Sequence, residues 1–375
     1  MLKASLVHQI LDFARWAPSG DNTQPWRFEI LDEARFVIHG FDTRDHCVYD
    51  LDGQPSQMAL GALIETISIA ASTFGLITNV VRRTESADTQ PTFDVTLLSD
   101  PSVRASELFS SIPARSVQRR AFSPRRLSVE QKSALEQALD PGYRILWLEG
   151  AGAKWQTARL MFANAKLRLT TEEAYQVHSD IIHWGRRFSQ DRVPDQALGV
   201  DALTLKLMQW LMKDWARVRF FNRFLAGTWA PRIQMDFLPS LLCGAHFVLL
   251  RKNAAASIDD HVDAGRMVQR LWLTATSMGL MHQPELTPLI FARYVRTGVA
   301  FSTSAAAASL AVSLAERTRQ LIGPDLDCAA WIGRIGTASS AMSRSLRRPL
   351  SSLTIERDHP SPLTSQTQAR RPAPR

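Results

Sequence analysis

Apolar residues recur at helical spacing between Met1 and Pro18, in MLKASLVHQILDFARWAP, which predicts an amphipathic helix ending near Trp16. Beyond it, Trp26 to Ile30 alternates as a strand, and so do Arg35 to His39, His246 to Leu250 and, most clearly, FDVTLLSD from Phe93 to Asp100. Two longer runs are apolar on most faces, as central buried helices are. They are GALIETISIAASTFGL (Gly61 to Leu76) and GRMVQRLWLTATSMGL (Gly265 to Leu280), and they align without a gap. Identical residues fall at Gly61/Gly265, Ala71/Ala275, Gly75/Gly279 and Leu76/Leu280. Two buried helices can share composition by chance, but each of these follows a strand-like run and precedes an extended one. The pattern therefore predicts one unit written twice, at a period too long for a solenoid. The first half is placed at residues 1–100 and the second at 101–350.

The second half is longer because of an insertion at about 184–239, basic and rich in aromatics, which reads as two short helices broken near Gly227 and Pro231. It is an extra packing layer, a lid, or a helix lying on a membrane surface. As a lid, Trp210, Trp215, Phe220, Phe221 and Trp229 would cover a planar ligand while Lys213, Arg217 and Arg219 face water.

Composition narrows this picture. Of the 375 residues 45% are apolar and 21% charged, ordinary for a chain folded around a core. The three cysteines, Cys47, Cys243 and Cys328, lie far apart in no metal or disulfide pattern, and a reduced, cytoplasmic setting fits them best. The N-terminal stretch lacks the apolar core and cleavage site of a signal peptide, and no run is long enough to span a membrane. The net charge is +8. Part of it belongs to residues 351–375, a Pro/Ser/Thr-rich basic tail expected to be disordered. The rest concentrates in ARSVQRRAFSPRR (Ala114 to Arg126) and RSLRRP (Arg344 to Pro349). Short arginine clusters suit a phosphate, and the interleaved aromatics of a nucleic-acid surface are missing.

The chemistry begins at APSGDNTQPWRFEI, Ala17 to Ile30. Pro18 follows the first helix, and Ser19, Gly20, Asp21 and Asn22 then bring a hydroxyl, an amide and bare backbone into a turn before Pro25 opens the strand. Such a loop can present several polar groups to the edge of a flat ligand. APSGDNTQPW resembles the PSxxNxQPW signature of the FMN-dependent nitroreductase family. That family's arginine motif, RRSxRxF, is similar to ARSVQRRAF here, with Arg115, Ser116, Arg119 and, after a one-residue extension, Phe122. A basic residue before Pro-Leu is matched by Arg347 and Arg348 in RSLRRPL. The order differs from the family's: the first half has the loop without the arginines, and the second has the arginines without a loop, reading LDPGYRILWLEG where one would follow. The chain therefore resembles the tandem, single-chain branch, in which a fused pair replaces the homodimer.

The resemblance implies an α+β fold, a central mostly antiparallel sheet flanked by helices and duplicated within the chain, with one FMN seated between the halves of a monomeric pseudo-dimer. Arg115, Arg119 and Arg347 are the expected phosphate ligands, with Ser116 beside them, because guanidinium groups bind such oxygens bidentately and keep their proton. Pro18, Ser19, Gly20 and Asn22 are expected at the ring. Gln24 is an expected member of the site through the shape of the loop, and Gln283 and Pro284 of MHQPEL form a second ring contact, with Glu285 weaker. The implied activity is NAD(P)H-dependent ping-pong oxidation or reduction of a small-molecule electron acceptor, with no essential catalytic side chain. Two alternatives stay open: a flavin-sequestering carrier closed by the insertion, and an accessory oxidase working with an adenylating partner. EGAGAKWQT lacks the Gly-Lys of a phosphate loop, and His178 and His183 have no metal-ligand spacing and read as exposed or capping residues.

Overall fold

The computed structural model describes residues 5–224 and 227–355. Helix α1 (Leu6–Ala14) starts on Ser5, whose hydroxyl accepts the His8 N–H, and buries Val7, Ile10, Leu11 and Ala14 as one stripe. Strands β1 (Trp26–Ile30) and β2 (Arg35–Gly40) lead to the largely buried helix α2 (Gln54–Ser72), followed by β3 (Leu76–Arg82) and β4 (Thr92–Ser99). In β4, Phe93, Val95 and Leu97 point inward and their neighbours outward, the alternation of a one-sided sheet. A short helix α3 (Ser111–Ala114) and α4 (Val129–Gln137) precede β5 (Tyr143–Leu148), and α5 (Gly150–Thr170) and α6 (Glu172–Ile181) follow it. Next come three two-residue strands, β6 (Ile182–His183), β7 (Phe188–Ser189) and β8 (Val193–Pro194), then α7 (Ala202–Leu211), α8 (Trp215–Phe224), α9 (Trp229–Arg232) and α10 (Leu238–Leu241). The chain finishes with β9 (Ala245–Arg251), α11 (Ile258–Ser277), β10 (Leu280–Pro284), α12 (Thr287–Thr297), α13 (Ala305–Ile322), β11 (Ala329–Thr337), β12 (Arg344–Ser345) and α14 (Leu350–Leu353).

The strands form two four-stranded antiparallel sheets. Their orders are β1-β2-β4-β3 and β5-β9-β11-β10. Both are first, second, fourth, third in chain order, with the long apolar helix entering between the second and third strands.

The two long helices, α2 and α11, pack against each other, and the contact is reciprocal. A Cβ on Gly61 would lie 1.8 Å from the Val262 carbonyl oxygen, and one on Gly265 would lie 2.0 Å from that of Met58. In the gapless alignment Gly61 matches Gly265 and Met58 matches Val262, so each contact is the other with the partners exchanged. The polar contacts obey the same exchange. Gln269 Nε2 donates to Thr66 Oγ1 at 2.9 Å, and Arg270 Nε donates to Glu65 Oε1 at 2.7 Å. Met58 of α2 is buried in the second core, and Val262 of α11 in the first.

Two expectations change. The segment from Ser351 does not leave the fold at once: Leu353 is fully buried in the first core, and Ile355 N donates to Phe28 O at 2.9 Å. The remainder of the expected tail, 356–375, lies outside the described residues. In the insertion, Pro231 breaks nothing, because it sits in the first turn of α9, where no intrahelical N–H is needed, and the helical path continues through a π-turn at Ile233–Phe237 into α10.

Candidate cofactor site

A cavity of about 320 Å³ lies over the crossing of the two long helices. Met58, Ala59 and Ala62 of α2 and Gly265, Val268 and Trp272 of α11 line it. The small residues at the crossing keep the helices close and leave a slot with apolar walls, the kind that receives a flat organic ligand.

The loop after α1 closes one side. Asp21, Asn22 and Gln24 all have positive φ (50°, 65° and 52°), a conformation that costs L-residues energy and is kept only when surroundings impose it. Here the restraints are explicit. Ser19 Oγ accepts the Gln24 N–H at 2.9 Å. The Gln24 side chain donates to the Asn22 and Gln190 carbonyls, and its Oε1 accepts the Arg348 N–H at 2.9 Å. Asn22 Oδ1 accepts from Arg347 at 2.9 Å. Gln24 is therefore fully buried behind the loop and does not line the cavity, whereas Pro18, Ser19, Gly20 and Asn22 do. Gln24→Ala is expected to remove three hydrogen bonds and cost about 1–2 kcal/mol, read as a lowered midpoint in thermal unfolding.

One end of the cavity is strongly positive. Arg115 and Arg347 are buried and Arg344 half-buried, and among the described residues none of the three has a carboxylate partner. Their contacts are carbonyl oxygens and rings. Arg115 donates to Trp16 O at 2.9 Å and lies 4.5 Å over the Trp272 ring, Arg344 donates to Pro113 O, and Arg347 donates to Ala17 O. Burial, then the Arg344 charge, pushes Arg347 down to about 9, and burial with the charges of Arg347 and Arg344 holds Arg115 well below the usual guanidinium range. Arg115 Nε and Arg344 Nε are buried without a hydrogen-bond partner. A cluster that is crowded, cationic and short of acceptors fits a dianionic phosphate.

The three expected arginines all line the cavity, but they do not all sit at this end. Arg119 lines the cavity but belongs electrostatically to its other end, where after burial the Asp21 carboxylate acts on it most, and its Nη1 donates to Ala197 O at 3.3 Å. Arg344 joins Arg115 and Arg347 at the positive end. The sequence held the signal, three arginines in RSLRRP, but the decisive feature is tertiary: β12 pairs in parallel with β7 of the insertion, which fixes Arg344 beside Arg347.

Between the ends, Ser116, Gln283 and Pro284 line the wall. A β-bridge from Val117 to His282 lays the arginine motif against β10, which brings these stretches together. Gln283 Oε1 is buried without a donor, a vacant acceptor for a ring N–H. Glu285 turns away instead: its carboxylate lies 2.8 Å from His246 Nδ1 beneath the sheet, and that ion pair, working against burial, raises His246.

The far end holds residues that sequence reasoning dismissed or did not see. Tyr49 Oη lies 3.1 Å from His178 Nε2, and both residues line the cavity with Cys47, Asp50 and Arg168. Burial, then Arg168, pushes His178 down to about 3, so the ring is neutral, and burial raises the Asp21 carboxyl. His178 is no capping residue. The pair is separated by more than a hundred positions, and no local pattern could join it. The aromatics expected to cover the ligand, Trp210, Trp215, Phe220, Phe221 and Trp229, do not line the cavity. What closes it from the insertion is Val193 and Ala197.

No cluster of metal-ligating side chains occurs among the described residues, and no described helix is long and apolar enough to cross a membrane. The fold is α+β, and its cavity is a slot with apolar walls and a cluster of arginines at one end. The chain matches no protein-family model and no curated protein. Among solved structures it is similar to a nitroreductase-like family protein from Bacillus cereus, at 12% identity, covering 66% of this chain and 94% of that one, with a TM-score of 0.32. A nitroreductase with bound FMN from Desulfitobacterium hafniense matches at 16% identity, covering 65% and 94%, also at 0.32. The FMN-dependent nitroreductase of Mycobacterium smegmatis in complex with NADPH matches at 17% identity, 64% and 94%, and 0.32.

Proposed function

We propose that the chain is two copies of one nitroreductase-like unit, binds one FMN between them, and acts as an NAD(P)H-dependent oxidoreductase on a small-molecule acceptor. The observation that carries this reading is the phosphate end: Arg115, Arg344 and Arg347 converge without a counter-charge on a slot whose other wall is the PSGDNTQPW loop. The shared strand order and the reciprocal contact of α2 with α11 support the duplication.

The residues present fit the cofactor. Arg115, Arg344 and Arg347 would hold the phosphate, Met58, Ala62, Val268 and Trp272 would flank the ring system, and Gln283 Oε1 would accept from its edge. Bound there, FMN would supply two-electron hydride chemistry between NAD(P)H and the acceptor. The protein's part is to bind, to orient and to exclude water. At the far end, Tyr49 and neutral His178 form a hydrogen-bonded pair able to hold a proton beside an acceptor substrate.

The carrier reading rested on aromatics closing over the ligand, and those side chains lie elsewhere, so turnover is favoured. Titration of the purified chain with FMN is expected to saturate at one flavin per chain, and mixing with NAD(P)H to bleach the flavin absorbance rapidly. Absence of any flavin binding would sink the proposal. Binding with reduction by dithionite alone would restore the carrier.

A further inference from the structure

Helix α7 places Leu203, Leu207 and Trp210 on one stripe at helical spacing, and all three face water, while Thr204 and Leu211 on the adjoining face are buried. Helix α8 has no fully buried residue at all, and its Phe220 and Phe224, one turn apart, are 55% and 63% exposed. None of the described segments covers these side chains. Two leucines and a tryptophan on one helix and two phenylalanines on the next, linked through Phe221, are more than scattered surface apolarity and mark a contact surface.

The patch is braced in its exposed form. The Trp210 ring stands edge-on to Phe221 at 5.6 Å, the Arg217 guanidinium lies 4.9 Å over Trp210, and Phe220 packs on Phe224 at 5.0 Å. Asn222 Nδ2 donates to Leu169 O at 2.9 Å, and Trp215 lies against Tyr175, tying the pair of helices to α5 and α6.

Charge selects the occupant. Between Ala202 and Phe224 stand five basic residues, Lys206, Lys213, Arg217, Arg219 and Arg223, against one acid, Asp214. Arg219 and Arg223 each directly precede an exposed phenylalanine. A second copy of this chain would bring the same positive charge against itself across a twofold contact. Nucleic acid would use the arginines and rings but leave Leu203 and Leu207 in water. An anionic lipid surface uses both features at once, since aromatic and aliphatic tips enter the boundary of the acyl layer while Lys and Arg reach headgroup phosphates.

We propose that α7 and α8 form an interfacial platform that seats the protein on anionic membranes without spanning them. The test is flotation of the full chain with vesicles of phosphatidylcholine alone or mixed with phosphatidylglycerol. Wild type is expected to float with the mixed vesicles and only weakly with the neutral ones. Phe220→Ser combined with Phe224→Ser is expected to weaken binding by about tenfold or more while leaving the near-ultraviolet circular dichroism unchanged, because neither ring is part of a core.

Failure of wild type to float overturns the proposal. So does flotation of the double variant at wild-type strength, which would assign the contact to basic residues elsewhere in the chain. A lipid-free dimer that the double variant dissociates would assign the patch to a second copy. Oligonucleotide binding lost in the double variant would assign it to nucleic acid.

Discussion

Alanine at Gly61 is expected to destabilise the protein by about 3 kcal/mol or more, the upper end for overpacking, although Gly→Ala inside a helix ordinarily stabilises by about 1 kcal/mol. The sign reverses because the new Cβ would lie 1.8 Å from the Val262 carbonyl oxygen, and a backbone atom within a helix cannot swing aside as a side-chain tip does. Relief requires α2 and α11 to separate, which loosens both cores at once, since Met58 and Val262 each reach into the opposite one. The reciprocal change, Gly265→Ala, meets Met58 O at 2.0 Å and is expected to cost a similar amount. With both changes the loss should be smaller than the sum, because the first substitution already forces the separation that the second needs. Gly152→Ala, in α5 where nothing lies within 4 Å, serves as the control and should be neutral or stabilising. Urea unfolding of the four variants measures this. A loss below about 0.5 kcal/mol at Gly61 would mean that the helices do not cross as described.

That crossing was half legible in the sequence. The gapless match of Gly61 with Gly265 picked out two similar helices, and the strand-like runs around them gave the elements β2, β4 and β9 to within a residue or so. Equivalence alone does not say that two helices touch, and the glycines acquire their meaning from what opposes them. Local pattern also located the loop: Pro, Ser, Gly, Asp and Asn in succession require a turn. Its restraints were out of reach, because Gln190, Arg347 and Arg348 approach it from far along the chain.

The misreadings have one physical origin. An amphipathic helix tells which face is apolar and not what that face meets, so the aromatics of the insertion passed for a ligand cover when Trp210, Phe220 and Trp229 face water and Trp215 and Phe221 pack on Tyr175 and Trp210. In the same way, a run of arginines reveals a positive stretch, while the direction of each guanidinium depends on pairing elsewhere. Arg119 donates to Ala197 O and feels the Asp21 charge, and Arg344 is set beside Arg347 by a two-residue parallel bridge. His178 had no sequence neighbour to give it a role, and Tyr49 supplied one only through the fold.

Arg115→Ala is expected to weaken FMN binding by about 1.5–3 kcal/mol, roughly ten- to a hundredfold, the usual worth of hydrogen bonds to a charged group. The buried guanidinium has a carbonyl and a ring for partners, its Nε has none, and two further arginines repel it. A phosphate in this position relieves all three conditions together, so its loss of binding should be specific to the phosphate. Riboflavin, which has the ring system and lacks the phosphate, provides the separation. Wild type should prefer FMN to riboflavin, and Arg115→Ala should erase most of that preference by losing FMN affinity while keeping its affinity for riboflavin. The effect should also shrink as salt rises in wild type more than in the variant, since less charge remains to be screened. Arg144→Ala, which removes an exposed arginine paired with Asp325, should change neither ligand. Fluorescence titration of both flavins against the three proteins measures these affinities. Equal losses for FMN and riboflavin would show that Arg115 shapes the slot through its packing on Trp272 and its hydrogen bond to Trp16 O, and the phosphate would then have to be held at some other part of the cavity.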